Sequence, residues 1–120
     1  SLMNLATEWV RCRKWLLPAL ERSQRFFSEV HIVDALVAGE DELYPTQDSA
    51  VVHTIVDYPA ARAFVFLLAG GDLEDLRNTE TCLIEKARLQ GCNRVEYCGR
   101  RGWLRELGYE EIFSVGIKDI

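Results

Sequence analysis

The first third of the chain carries hydrophobic residues at helical spacing. Residues 7–26 combine a recurring apolar face with Thr7 as an N-cap candidate, and Pro18 predicts a kink or the start of a second helix. A further short helix is predicted to open at residues 28–30, because apolar residues recur every three or four positions up to Gly39, which fits a C-terminal cap. The N-terminal region is therefore predicted to be helical.

A strand pattern follows the helical one. Residues 42–47 predict a short strand, which Pro45 confines to the edge of a sheet. Residues 50–56 are rich in β-branched side chains, and residues 57–60 predict a turn. Residues 63–69 form an unbroken apolar run, which is typical of a central strand buried on both faces. These segments predict antiparallel strands that lead into the middle of a sheet.

The second half of the chain alternates helices with strands. Its predicted elements are a long helix from Asp72 to Gly91, a strand over residues 93–98, a short helix over residues 101–107 and a last strand over residues 111–118. A strand joined through a long helix to a parallel neighbour crosses over right-handedly. The pattern predicts a single α/β (α+β) domain over residues 1–120. Its sheet is expected to be mixed, mainly antiparallel, with about five strands, a parallel central pair and flanking helices.

Composition narrows the class of protein. The 120 residues are 48% hydrophobic and 28% charged, a balance typical of one globular domain. No apolar run approaches the ~20 residues that span a bilayer, so we expect no membrane segment. Ser1-Leu2 ahead of Met3 resembles an expression scar. The net charge of −5 argues against a general nucleic-acid binder, which usually carries a basic stripe.

The charge is unevenly distributed along the chain. Residues 1–28 hold five bases and two acids, residues 29–86 hold three bases and twelve acids, and residues 87–120 hold six bases and five acids. A mixed surface accounts for this pattern, and a basic patch for an anionic ligand or partner stays open as the alternative.

The cysteines and histidines do not form a metal-binding pattern. The four cysteines include no CxxC pair, and neither histidine lies at zinc-ligand spacing from a cysteine. We therefore expect no metal site, and reduced thiols in a cytoplasmic setting.

Two segments near the C-terminus resemble a known family. Residues 91–97 (GCNRVEY) and 99–109 (GRRGWLRELGY), with the order of elements, resemble the passage from the long helix into the fifth strand and beyond in the acyl-CoA N-acyltransferase (GNAT) superfamily. The resemblance covers residues 28–120 and is strongest to the short GNAT-like proteins of tailed phages and prophages. It implies that the parallel central strands splay apart, and that acetyl-CoA or CoA lies in the wedge between them when it binds.

The resemblance also implies a phosphate-binding turn before the long helix. Its residues would be Leu68, Ala69, Gly70 and Gly71, with Arg100 and Arg101 reaching the phosphates. Free N–H groups and the helix dipole form the anion site in such a turn. Asp72, Glu74 and Asp75 fall in the first turn of this helix, where they favour self-capping. The alternative to self-capping is that this turn binds the diphosphate of CoA.

An acyltransferase would further need an acid and a base. Many members of the superfamily use a Tyr four residues before the closing Gly-aromatic pair, where this chain has Leu104. Proton transfer needs a titratable group, and the candidates are Tyr97, Glu96, His53 and Tyr109. Each of these residues also has a purely structural interpretation in a strand or a pocket wall.

Two hypotheses for function follow. The first is a phage- or prophage-type GNAT-fold protein with a degenerate acetyl-CoA site, which binds phage structural proteins during particle assembly, in the host cytoplasm or on the virion. The second is an acetyl-CoA-dependent N-acetyltransferase that acts on an unknown amine. The acidic first turn and Leu104 favour the first hypothesis. The short sheet also leaves open a homodimer that completes it.

Overall fold

Four helices and four strands make up the part of the chain that this computed structural model describes, residues 4–22, 27–99, 101–112 and 116–120. The helices are α1 (Leu5–Glu21), α2 (Glu29–Ala38), α3 (Leu73–Leu89) and α4 (Arg101–Glu106), and the strands are β1 (Glu42–Pro45), β2 (Ser49–Tyr58), β3 (Ala61–Gly71) and β4 (Arg94–Tyr97). Their order confirms the predicted succession of helices, antiparallel strands and one helical crossover.

Helix α1 differs from its prediction at both ends. It begins at Leu5 with Asn4 as the N-cap, whose side chain accepts a hydrogen bond from the Thr7 N–H at 3.0 Å. No second helix starts at Pro18, because α1 continues through it to Glu21. Proline removes one N–H and crowds the preceding turn, so the packing of Leu16 and Leu20 on either side of it must offset that cost for the helix to continue. Residues 23–26 of the predicted helix lie outside the described residues.

Helix α2 has the ends that its sequence predicts. Ser28 is the N-cap, and its backbone N–H donates to Nδ1 of His31 at 3.0 Å, which completes a capping box. Gly39 follows the last turn with φ +78°, a left-handed conformation that glycine adopts at little cost.

The four strands form one mixed sheet in the order β1-β2-β3-β4. The pairs β1–β2 and β2–β3 are antiparallel, and β3–β4 is parallel. Strand β1 lies at an edge, as Pro45 predicts, and β3 lies between two neighbours, as its apolar run predicts. The mixed, mainly antiparallel sheet is therefore confirmed.

The expected fifth strand is absent from the described part of the chain. Residues 111–112 and 116–118 lie in no strand, and residues 113–115 are outside the described residues. Ile112 and Ile117 are 59% and 45% exposed, so the described apolar positions of this segment have no core to face. An alternating pattern specifies a strand only where one face is buried. Among the described residues β4 is consequently an edge strand, whereas the sequence predicted a central pair.

Helices cover both faces of the sheet. On one face α1 and α2 pack on β1, β2 and β3 around buried residues that include Cys12, Leu16, Ile32, Leu36 and Leu68. On the other face α3 packs on the sheet around Val51, Phe64, Phe66, Ala69, Leu76, Leu83 and Ala87. Two apolar layers therefore hold β3 in the middle of the molecule, and the site described below lies along this strand.

Candidate functional site

Strands β3 and β4 are paired over only four residues. Their register runs from Ala63 opposite Arg94 to Phe66 opposite Tyr97, and the Cys98 N–H still donates to the Phe66 carbonyl at 3.2 Å. Strand β3 then continues to Gly71 without a β4 partner. A notch therefore opens beside the C-terminal half of β3.

A β-bulge lies at the point where this notch begins. The β2–β3 register shifts between Val52 and His53, so that Phe66 and Leu68 have partners in β2 and Leu67 has none. Leu67 also lies beyond the last residue pair with β4. Bulges disrupt the ladder locally, re-aim side chains and occur often next to functional sites. This bulge could not be predicted, because residues 63–69 are apolar throughout and carry no mark of a register shift.

Tyr97 places a buried hydroxyl beside the notch. Its ring lies 5.7 Å from that of Phe66 and 5.5 Å from that of Tyr109, and its hydroxyl has no hydrogen-bond partner in the described structure. Burial raises the pKa of Tyr97, and the nearby Glu80 carboxylate raises it further. The phenol is therefore protonated at neutral pH and is chemically a donor or an acid.

Glu80 binds Tyr109 and acts electrostatically on Tyr97, although sequence reasoning did not single it out. The Tyr109 hydroxyl donates to Glu80 Oε2 at 3.0 Å. Burial raises the pKa of Glu80, and the Tyr109 hydrogen bond opposes that rise. The sequence feature that could have identified Glu80 is its spacing: it lies four residues after Leu76 and three before Leu83, so it falls on the buried face of α3.

The other two acid–base candidates lie in different surroundings. Glu96 accepts a hydrogen bond from the Tyr58 hydroxyl at 3.2 Å and forms an ion pair with Arg94 at 3.0 Å. His53 is 3% exposed and its ring stacks on Phe64, with centroids 4.6 Å apart. Burial lowers the pKa of His53 to about 4. The structure thus brings Tyr97, Tyr109 and Glu80 together, and it places His53 in the apolar layer beneath α3.

The two glycines of the predicted phosphate-binding turn are required by packing. A Cβ on Gly70 would lie 1.9 Å from the Trp15 carbonyl oxygen of α1. Gly71 has φ +113°, and a Cβ there would lie 2.4 Å from the Asp48 carbonyl oxygen. Leu68 is buried in the α1 layer and Ala69 in the α3 layer. All four residues therefore have structural roles.

Two N–H groups at the start of α3 have hydrogen-bond acceptors within the chain. The Asp72 N–H donates to the Asp48 carbonyl at 2.9 Å, and the Asp75 N–H donates to the Asp72 carboxylate at 2.9 Å. The Asp75 carboxylate in turn accepts hydrogen bonds from the hydroxyls of Ser49, at 2.6 Å, and of Thr46. These bonds lower the pKa of Asp75 and keep it ionised. The Asp75 amide is consequently engaged by a carboxylate of the chain and the Asp72 amide by a backbone carbonyl, and the carboxylates of Asp72 and Asp75 lie at the positive end of the helix dipole.

The predicted cationic partners of a phosphate fall outside the described part of the chain. Arg100 and the side chain of Arg101 both lie there. Leu104, which the sequence resemblance puts in place of a Tyr, lines a cavity of about 540 Å³ together with residues 94–99 and 108–112. Tyr97 and Tyr109 also line this cavity.

Neither a metal cluster nor a membrane-spanning helix occurs among the described residues. Within these residues no three or more His, Cys, Asp and Glu side chains are grouped so that they could hold a metal ion. None of the described helices combines the length and the apolarity that crossing a membrane requires.

Comparison with known proteins supports the fold. No family model and no curated protein matches the chain. Two crystal structures of TTHA1254 from Thermus thermophilus, the wild type and a point mutant, are similar to it with TM-scores of 0.51 and 0.53. Each is 16% identical in sequence, and each match covers 68% of this chain and 72% of that protein. At this identity the likeness shows a shared fold alone.

Proposed function

We propose that this chain is a GNAT-like domain of the phage and prophage type, with a degenerate acetyl-CoA site, that acts by binding a protein partner in particle assembly. The observation that supports the proposal is the start of α3, where the carboxylates of Asp72 and Asp75 lie at the helix N-terminus that the resemblance assigns to a diphosphate. The Asp72 amide is also committed, because it donates to Asp48. A diphosphate would therefore find neither free donors at these positions nor a favourable field.

Charge repulsion from the carboxylates at the start of α3 opposes the binding of a diphosphate there. Two like charges 4 Å apart repel by about 1 kcal/mol in water and by more where water is excluded. Asp72, Glu74 and Asp75 all lie within the first turn or its cap. Arg77 is one cation near them, and its Nε lies 3.5 Å from Glu74 while its Nη groups contact Glu106. The dipole that would attract a phosphate is thus already compensated.

Titration with acetyl-CoA and with CoA tests the proposal. A ligand present at 100 times its Kd stabilises a fold by about 2.7 kcal/mol, which a thermal melt detects. We expect no change in Tm at millimolar acetyl-CoA and no change in the amide NMR signals of Gly71 and Asp72. A concentration-dependent rise in Tm with shifts of those two signals would overturn the proposal.

A charge variant shows whether the carboxylates are the cause. Asp72→Ser with Asp75→Asn retains a capping side chain and a hydrogen-bond acceptor while it removes both charges. If the carboxylates exclude the diphosphate, CoA affinity rises in this double variant. The matched control Glu85→Gln changes an exposed acid of α3 outside the first turn and leaves CoA affinity unchanged.

One observation favours a second candidate, an acetyl-CoA-dependent N-acetyltransferase acting on an amine. The bulge at Leu67 directly follows the last β3–β4 pair, Phe66 with Tyr97, where the two strands separate, and the buried hydroxyl of Tyr97 is protonated. Acyl transfer needs an acid for the leaving thiolate, and a phenol with a raised pKa suits that role. A thiol-release assay over an amine panel tests it. Activity that Tyr97→Phe removes without a loss of Tm would favour this candidate over the first.

A further inference from the structure

The segment that contains most of α4 places no side chain in the core. Among residues 102–112, Trp103, Leu104, Leu107 and Tyr109 are half-buried and the rest are exposed. The longer helices α1, α2 and α3 each contribute buried apolar residues to a core layer. Regions with little buried apolar surface open at a lower free energy than the core does. We call residues 102–112 the strap.

Two residues of α3 bind the strap. Arg77 donates to the backbone carbonyl of Glu106 at 2.8 Å and to its carboxylate at 3.1 Å. Glu80 accepts a hydrogen bond from the Tyr109 hydroxyl at 3.0 Å. Positions three apart lie on the same side of a helix, so both contacts fall on one side of α3. The strap is therefore attached at two neighbouring points of one helix.

The hydroxyl of Tyr97 opposes this attachment. Its ring contacts those of Phe66 and Tyr109, with centroids 5.7 and 5.5 Å apart, and its oxygen is buried with no hydrogen-bond partner in the described structure. A buried hydroxyl of this kind has lost its bonds to water without replacing them. Because Tyr109 belongs to the strap, its withdrawal would let water reach the Tyr97 hydroxyl.

Helix α4 depends on the contacts of the strap. It has six residues, and isolated helices shorter than about 12 residues are marginal in water. The Leu107 N–H donates to the Trp103 carbonyl at 2.9 Å, and the Tyr109 N–H donates to the Leu104 carbonyl at 2.8 Å. A strap that leaves α3 is therefore expected to unwind, and both of these bonds then break together.

We propose that the strap opens and closes over Tyr97 as one unit, with Arg77 and Glu80 holding it shut and the Tyr97 hydroxyl favouring its release. The closed state provides a partner for the Tyr109 hydroxyl, and the open state provides water for the Tyr97 hydroxyl. The balance between the two states sets how often the end of β4 meets solvent. This inference concerns a movement of the fold and does not depend on the proposed function.

Native-state hydrogen exchange measures the opening of the strap. Where reclosing is faster than exchange, the ratio of the observed to the intrinsic rate gives the opening constant of each amide. In the wild-type chain we expect Leu107 and Tyr109 to share one opening constant, at least about a hundredfold larger than that of Leu83 in the buried part of α3. Different constants for Leu107 and Tyr109, or constants equal to that of Leu83, overturn the inference.

Two tyrosine variants are expected to act in opposite directions. Tyr109→Phe removes the hydrogen bond to Glu80 and should raise the opening constant of the Leu107 amide about tenfold. Tyr97→Phe removes the unpartnered hydroxyl, keeps the ring contacts and should lower the same constant about fivefold. A Tyr97→Phe variant whose strap opens as readily as the wild-type strap, or more readily, overturns the inference.

A further variant and a matched control complete the experiment. Arg77→Gln removes the ion pair with Glu106 and should raise the opening constant about threefold at low salt. The control Tyr58→Phe removes another tyrosine–glutamate hydrogen bond, of 3.2 Å, which lies outside the strap, and should leave the constant unchanged. An effect of Tyr58→Phe as large as that of Tyr109→Phe would show that exchange follows overall stability, and it overturns the inference.

Discussion

Gly70 lies where β3 and α1 approach each other most closely. A methyl group there would meet the Trp15 carbonyl oxygen at 1.9 Å, and neither backbone can move without disturbing an apolar layer. We expect Gly70→Ala to lower the free energy of unfolding by about 3 kcal/mol, as measured by urea denaturation. A methyl group on Gly102 in α4 would have no atom within 4 Å, so Gly102→Ala is the matched control and is expected to cost nothing.

His53 makes stability depend on pH. Its pKa falls to about 4 on folding because burial opposes the charged form, and Glu42 and Lys86 are the charged groups that act on it. The unfolded chain therefore takes up a proton between about pH 6.5 and 4 that the native state does not, and the native state loses up to roughly 3 kcal/mol over that interval. Above about pH 6.5 His53 is neutral in both states, and this loss of stability is absent.

His53→Phe is expected to remove most of this slope. Phenylalanine keeps the stacking on Phe64 and eliminates Nε2, which is buried without a hydrogen bond in the described structure. Urea unfolding at several pH values from about 7.5 down to about 4.5 measures the effect. His31→Gln changes an exposed histidine and is expected to retain the slope; a wild-type stability that stays constant over these pH values would contradict the prediction.

At the scale of elements, Glu29 connects the two N-terminal helices. It stands at the start of α2 and accepts hydrogen bonds from Trp9 Nε1 at 2.9 Å and from Arg13 Nε at 2.8 Å, both on α1. The bonds from Arg13, and then that from Trp9, lower the pKa of Glu29 to about 2. Because the folded pKa is below the ordinary 4.5, this stabilisation is present above pH 4.5 and is lost as the pH falls towards 2.

Glu29→Gln should therefore weaken the α1–α2 contact at neutral pH. We expect a loss of about 1 kcal/mol at neutral pH and a smaller difference from the wild type near pH 2, where the wild-type carboxylate becomes protonated. Denaturant unfolding at the two pH values measures the difference. Asp34→Asn, at an exposed position on α2, serves as the control, and an equal loss at both pH values would show that the carboxylate charge is not involved.

The elements that could be predicted are those with strong local signals. Pro45 marked the edge strand, Ser28 and Gly39 marked the ends of α2, and the run over residues 63–69 marked the central strand. The start of α1 was misplaced because Asn4 and Thr7 both have side chains that can cap a helix. The hydrogen bond from the Thr7 N–H to the Asn4 side chain identifies Asn4 as the N-cap. The last strand was overpredicted because its alternation is a local pattern, whereas pairing depends on a distant neighbour.

At the scale of the whole molecule, the candidate site was only partly predictable. Tyr97 and Tyr109 were candidates from residue type, but the carboxylate that binds Tyr109 and raises the pKa of Tyr97 is Glu80, on a helix that precedes both in sequence. The role of Gly70 could not be predicted either, because Trp15 lies 55 positions earlier in the chain. Contacts between distant segments follow from packing and not from local pattern.

The rates at which Cys12 and Cys82 react with a disulfide reagent measure how rarely the folded molecule opens. Cys12 lies on the buried face of α1 and burial raises the pKa of its thiol, whereas Cys82 is exposed on α3. Since the thiolate is the reactive form, we expect a disulfide reagent to modify Cys82 readily and Cys12 at least about a thousandfold more slowly. The variant Cys82→Ser identifies this residue as the source of rapid modification, because the corresponding signal is expected to disappear in it. Comparable rates at the two cysteines would show that the α1 layer opens locally.

The bulge at Leu67 changes which face of the sheet each later residue of β3 points to. Phe64 and Phe66 contribute to the α3 layer, yet Leu68, two residues further on, belongs to the α1 layer, and Ala69 returns to the α3 side. A β3 that paired with β2 without this bulge would exchange the faces of Leu68 and Ala69 and would bring a leucine into the space that an alanine now fills beneath α3, whereas deletion of Leu67 would leave both residues on their present faces. The bulge therefore lets β3 carry one residue more than the stretch of β2 that it pairs with, while Leu68 and Ala69 still face the apolar layers that fit them.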